Sequence, residues 1–109
     1  FKKGQRDGTG VEYYDSGDGQ IKYQGEWREG RPDGYGTLYR LETGNKAYAG
    51  HFKSGEKNGN GTDYFANGQI RYQGEWKHNA PDGHGTVYHR ETGKKAYEGH
   101  FKSGQKDGH

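Results

Sequence analysis

The chain has 109 residues, 29% of them charged but with a formal net charge of only +2, and just 25% of it is hydrophobic. That balance presents no strong electrostatic surface to nucleic acid or acidic lipid. The absence of cysteine removes disulfides and thiolate metal sites, and no apolar run reaches the length of a membrane span or a signal peptide.

Hydropathy alone would place such a chain among disordered sequences. Against that, 15% of the residues are aromatic and they recur in frame with the glycines. Tyr23–Trp27 reads YQGEW, Tyr48–Phe52 YAGHF, Tyr72–Trp76 YQGEW and Tyr97–Phe101 YEGHF. The chain divides into one repeat array over 1–109: a partial unit 1–22, complete units 23–47, 48–71 and 72–96, and a partial unit 97–109. Units alternate, with Trp27 and Trp76 in one kind and Phe52 and Phe101 in the other. Phe1 aligns with Phe52 and Phe101, and the C-terminal KDGH halts where earlier units continue into Gly-Thr. The expectation is a piece of a longer array.

Clusters of Gly, Asn and Asp punctuate the chain every 8 to 12 residues and predict strands at 9–15, 20–28, 35–41, 46–53, 60–66, 69–77, 84–90 and 95–102. Glycines at this frequency oppose helix. Between strands the sequence predicts wide turns at Glu29–Gly34, Ser54–Gly59 and His78–Gly83. On the other side it predicts shorter turns at Glu42–Asn45 and Glu91–Lys94, with a tight Asn67-Gly68 hairpin between them. A two-residue Asn-Gly turn sets Ala66 opposite Gln69, Phe65 opposite Ile70 and Asp63 opposite Tyr72. With side chains alternating, Ile70, Tyr72, Gly74 and Trp76 then share a face with Phe65, Gly61 and Gly59. Tyr13, Tyr39, Tyr64 and Tyr88 take the other face, with Thr37, Thr62, Thr86, Glu26 and Glu75. A ring can lie flat on a neighbouring strand only where no Cβ stands. This gives Gly25, Gly36, Gly50, Gly61, Gly74, Gly85 and Gly99 a structural role. Burying half a large ring stabilises by about 2–3 kcal/mol, so several could hold a sheet that has no second layer.

The units YQGEWREGRPDGYG and YQGEWKHNAPDGHG resemble the MORN (membrane occupation and recognition nexus) repeat, approximately Y-x-G-x-W/F-x-x-G-x-x-x-G-x-G, across essentially the whole chain. Asn79 stands at a glycine position of that pattern, and the first unit carries two extra residues around Asp15–Gly19. The resemblance implies an all-β, twisted, elongated single-layer antiparallel meander of β-hairpin repeats with a groove-like aromatic face. It implies a non-enzymatic scaffold that binds a protein partner or another copy of itself. A cytoplasmic setting against cytoskeleton or membrane follows from it, and an extracellular bacterial one stays open.

On this reading the partner-binding candidates are Tyr23, Trp27, Tyr48, Phe52, Tyr72, Trp76, Tyr97 and Phe101, since Tyr and Trp carry large area on few rotatable bonds. The alternative is a membrane-surface module reaching anionic lipid through Lys46, Lys53, Lys94, Lys95 and Lys102. A carbohydrate- or cell-wall-binding repeat is a lesser one, suggested by Asp63–Ile70. The histidines invite a metal reading, but His51 and His100 fall about 19 Å apart across four strands, and His84 and His89 read as surface variation. Gly55–Gly61 lacks the Lys-Ser/Thr of a phosphate loop. Asp15–Gly19 lacks the acidic spacing of a calcium loop. Ser16, Ser54 and Ser103 sit in turns with no histidine–carboxylate pair. No residue set calls for a cofactor, and aromatic stacking on nucleic acid would need a basic track the sequence does not supply.

Overall fold

A computed structural model describes residues 7–15 and 17–107 of the chain. The alignment of Phe1 and the turn role of Ser16 lie outside the described residues. Among the described residues nine strands follow one another: β1 (Gly8–Tyr13), β2 (Ile21–Arg28), β3 (Arg31–Tyr39), β4 (Lys46–Lys53), β5 (Glu56–Tyr64), β6 (Ile70–Lys77), β7 (Ala80–Tyr88), β8 (Lys95–Lys102) and β9 (Gln105–Asp107). All pair antiparallel in sequence order into one open sheet of 48 × 26 × 16 Å. The expected single-layer meander is what forms, with one strand more than the eight the punctuation predicts.

The two kinds of turn are the reverse of expectation. At Glu29-Gly30, Ser54-Gly55, His78-Asn79 and Ser103-Gly104 both residues have positive φ, from 52° to 87°, the geometry of two-residue type I′ hairpins. The predicted wide turns are therefore tight, and β3, β5 and β7 begin at Arg31, Glu56 and Ala80, four residues before their expected starts at 35, 60 and 84. Asn79 takes a left-handed φ of 70°, which asparagine tolerates, so it substitutes for the repeat's glycine without breaking the turn.

Asn67-Gly68, by contrast, is not a two-residue turn. Only Gly68 has positive φ (93°); its N–H donates to the Phe65 carbonyl at 2.9 Å, and the Phe65 N–H donates to the Gln69 carbonyl at 2.7 Å. This is a three-residue loop with a left-handed glycine. Phe65 therefore faces Gln69, and Ile70 pairs with Tyr64 instead of with Phe65. Asp63 still opposes Tyr72 as expected, because a bulge at Arg71 restores the register. The same extra residue precedes every tyrosine of the repeat, at Lys22, Ala47, Arg71 and Ala96. Such bulges add right-handed twist to the sheet.

A larger irregularity lies at the other end of each hairpin. Gly25 pairs with Gly36 and Trp27 with Pro32, so Asp33, Gly34 and Tyr35 span the space opposite Glu26. Asn58–Asn60 do the same opposite His51, and Asp82–His84 opposite Glu75.

The core is one file of rings on one face. Tyr23, Trp27, Tyr48, Phe52, Tyr72, Trp76 and Phe101 are buried, with Leu38, Val87 and Tyr97 packed against them. Edge-to-face contacts at 5.0–5.3 Å run Trp27–Tyr23–Phe52–Tyr48–Trp76–Tyr72–Phe101–Tyr97 without a break. Each such contact contributes about 0.5–1.5 kcal/mol beyond its buried area. Each tyrosine hydroxyl donates to the carbonyl three residues on: Tyr23 to Glu26, Tyr48 to His51, Tyr72 to Glu75 and Tyr97 to His100, at 2.8–3.2 Å. A Cβ at Gly36, Gly61 or Gly85 would coincide with the hydroxyl and ring of Tyr23, Tyr48 or Tyr72. The rings thus lie on bare backbone, as the sequence implies.

The alternation of Trp and Phe has a packing cause. Trp27 and Trp76 oppose Pro32 and Pro81, whereas Phe52 and Phe101 oppose Lys57 and Lys106. Lys57 Nζ lies 5.1 Å from the Tyr48 ring and 5.0 Å from Trp76, and Lys106 Nζ lies 5.0 Å from Tyr97, within cation–π range. Burial lowers the Lys57 pKa, while the charge of Asp63 opposes that shift.

Asp63 breaks the pattern, since the matching positions opposite the other tyrosines hold Leu38 and Val87. It is 1% exposed and paired with the half-exposed Arg71. Its Oδ1 is buried with no hydrogen-bond partner. A buried ion pair seldom out-stabilises an apolar residue of similar size. Replacing both partners, Asp63→Leu with Arg71→Leu, is therefore expected to raise the thermal midpoint, by on the order of 1 kcal/mol of stability, whereas Arg71→Ala alone lowers it. Thermal unfolding of both variants checks this; a lower midpoint for the double replacement than for Arg71→Ala would contradict it.

Candidate functional site

The type I′ turns line up along one margin of the sheet and are tied to one another. The Gly55 N–H donates to the Pro32 carbonyl, Asn79 to Lys57 and Gly104 to Pro81, at 2.8–3.1 Å. Side chains double these links: Asp33 accepts from the Ser54 N–H at 3.0 Å, Asn79 Oδ1 from Lys57 at 2.9 Å and Asp82 from Ser103 at 3.2 Å. The opposite margin is stitched by Asn45 to the Ala66 carbonyl and Asn67 to the Arg90 carbonyl, each at 3.2 Å. Both margins hold a fixed spacing between units, so any surface repeated along them is prepositioned.

Three depressions repeat along the turn margin. The first, of about 550 Å³, is walled by Trp27, Glu26, Arg28 and Asp33. The second, of about 800 Å³, is walled by Phe52, Arg28, Arg31, Lys53 and Asp33. The third, of about 720 Å³, is walled by Trp76, Glu56, Glu75, Lys77 and Asp82. Around the first, Asp7, Glu26 and Asp33 face Arg28; around the second, Arg28, Arg31 and Lys53 face Glu29 and Asp33; around the third, Glu56, Glu75 and Asp82 face Lys53 and Lys77. Acids thus lead by one charge in the third, bases lead by one in the second, and Lys53 is shared between those two. The sign follows the repeat position before the second aromatic, which is Glu26, His51 and Glu75 in turn.

The aromatic candidates do not stand free on this surface. Seven of the eight are the core itself, and Tyr97 is packed against it. Only Trp27, Phe52 and Trp76 reach the walls of the depressions. The lysine candidates are not brought together. Lys46 and Lys95 open β4 and β8 and Lys94 precedes them on the loop margin, whereas Lys53 and Lys102 close the same strands on the turn margin, about 23 Å away along the strand. Lys95 also lies 3.4 Å from Glu98.

His51 and His100 stand on β4 and β8, four strands apart as expected. His84 and His89 are exposed, and His84 pairs across strands with His100. Among the described residues no three His, Asp or Glu side chains gather as a metal-ligand group.

The sequence profile of one family, the MORN repeat, matches residues 1–19, 23–40, 48–70, 72–90 and 97–109. No curated protein matches the chain.

Proposed function

This chain belongs to the MORN-repeat family, and from that premise we propose that it is a non-enzymatic scaffold whose turn-margin groove receives an extended segment of a partner protein. MORN repeats are generally modules for interaction with proteins or membranes, and are typically not enzymes. The observation that carries the finer reading is the row of three depressions, in register and alternating in charge. Successive depressions lie two strands apart, about 9.5 Å, and an extended segment in the polyproline II form rises about 3.1 Å per residue with three residues per turn. Every third side chain of a segment laid across the strands therefore meets the next depression. Charge complementarity asks for a basic, an acidic and a basic side chain at that interval.

Within this reading the core rings Tyr23, Tyr48, Tyr72, Tyr97 and Phe101 keep the groove rigid, and Trp27, Phe52 and Trp76 offer the apolar contact. The separation of the five lysines between two margins supports a protein ligand over a flat anionic membrane. Selection of a displayed random-peptide library on the chain tests the proposal. Expected are peptides with charges of alternating sign at every third residue, bound at least tenfold more weakly by Arg31→Glu, since Arg31 lines the second depression and neither of the others. Peptides indifferent to Arg31→Glu would refute it, and flotation with anionic liposomes that is lost at high salt would favour the lipid alternative.

A further inference from the structure

On the face opposite the aromatic file the geometry points to a zinc site formed by His84 and His100. The two residues are direct cross-strand partners of β7 and β8, so their side chains leave the sheet on the same side. Both are exposed. Their neighbours Gly83 and Phe101 also oppose each other, and Phe101 is in the core. The imidazoles therefore point away from the ring file, into solvent. His84 Nδ1 lies 3.4 Å from His100 Nε2, with the ring centroids 4.8 Å apart and the planes at 85°.

That separation suits a tetrahedral ion. Two Zn–N bonds of about 2.0–2.1 Å at the tetrahedral angle hold their nitrogens about 3.3–3.4 Å apart, whereas a square-planar ion with similar bonds would need about 2.9 Å. Neutral imidazole is an ordinary zinc ligand. The strands supporting both rings are rigid, since Gly83, Gly85 and Val87 continue the pairing with Phe101, Gly99 and Tyr97 around the pair. Two protein nitrogens leave the remaining coordination positions to water or to a ligand from a second molecule, so the site is of the open kind.

The chain carries its own control. In the corresponding earlier pair of units the matching pair is Tyr35 and His51, with ring centroids 4.2 Å apart. A phenol in place of the first imidazole is thus already accommodated by this sheet, and His84→Tyr is expected to fold.

Calorimetric titration of the 109-residue chain with zinc chloride tests the site, alongside His84→Tyr and His100→Gln. The expected result is one zinc equivalent on the wild type, weakened at least tenfold in each variant, with circular dichroism unchanged. Because His78 and Glu56 also approach within 3.0 Å, the inference requires that the lost equivalent be the one removed by both substitutions. An identical isotherm for wild type and His84→Tyr overturns it, as does the absence of binding to the wild type up to millimolar zinc. If either variant does not fold, the other decides.

Discussion

Between pH 10 and 12 the array is expected to unfold cooperatively, with its buried tyrosines ionising as the sheet comes apart. Burial is the largest cause holding the Tyr23 hydroxyl up to about 12, with the Glu26 charge adding to it. Burial likewise raises Tyr72 to about 12 and pushes Tyr48 further up, reinforced by the charge of Asp63. A phenol whose folded pKa exceeds its unfolded value of about 10 contributes stability that is complete below pH 10. That contribution is lost as the pH rises through the folded value, because only the unfolded chain can ionise in that window. Two units correspond to roughly 2–3 kcal/mol per tyrosine. Three such residues together would remove an amount comparable to the whole stability of a small domain. Absorbance of phenolate near 295 nm and circular dichroism, followed together, check this. If all ten tyrosines reached full ionisation while the native spectrum persisted, the buried file would not exist as described.

The second large effect is on ring-on-glycine packing. Tyr48→Ala removes the most buried ring of the file, at 0% exposure, together with its contacts to Phe52 and Trp76 and its hydrogen bond to His51. A loss of about 3–5 kcal/mol is expected for a large-to-small change at such a position. Gly61→Ala places a methyl group where the Tyr48 hydroxyl and ring lie, and about 1–3 kcal/mol is the usual cost of such overpacking. The two changes act on one volume. In urea unfolding the double variant is expected to be more stable than the sum of the single losses allows, by at least about 1 kcal/mol. Strict additivity would mean that the ring does not rest on this glycine.

The groove was less legible than the sheet. The YxGxW/F frame marks where the rings belong, but it does not tell whether a ring faces a partner or its own backbone. That depends on how strands β3, β5 and β7 lie across β2, β4 and β6, and on hydroxyls finding carbonyls three residues away. The depressions were hidden for a related reason. Their walls combine residues from adjacent units, such as Arg28 with Lys53, whose proximity depends on the register after each turn.

Turn chemistry explains where the sequence misled. Asn67-Gly68 has the composition of a type I′ pair, yet a backbone bond from Phe65 to Gln69 stretches it to three residues, and the bulge at Arg71 recovers the register. Ser54 and His78 carry no such composition and still adopt left-handed φ of 52°, held by the neighbouring turn margin. His84 and His100 are separated by 16 positions, and only pairing of β7 with β8 brings them together.

The sequence by itself determined the period, the class of fold and the pairing of rings with glycines, because each is a local demand: alternation sets the face, and a missing Cβ sets where a ring can lie. The tertiary structure alone decided which turns are tight and that the rings bury one another. Those are properties of register between strands, and register is fixed by the sum of all pairings in the sheet and not by any single segment of chain.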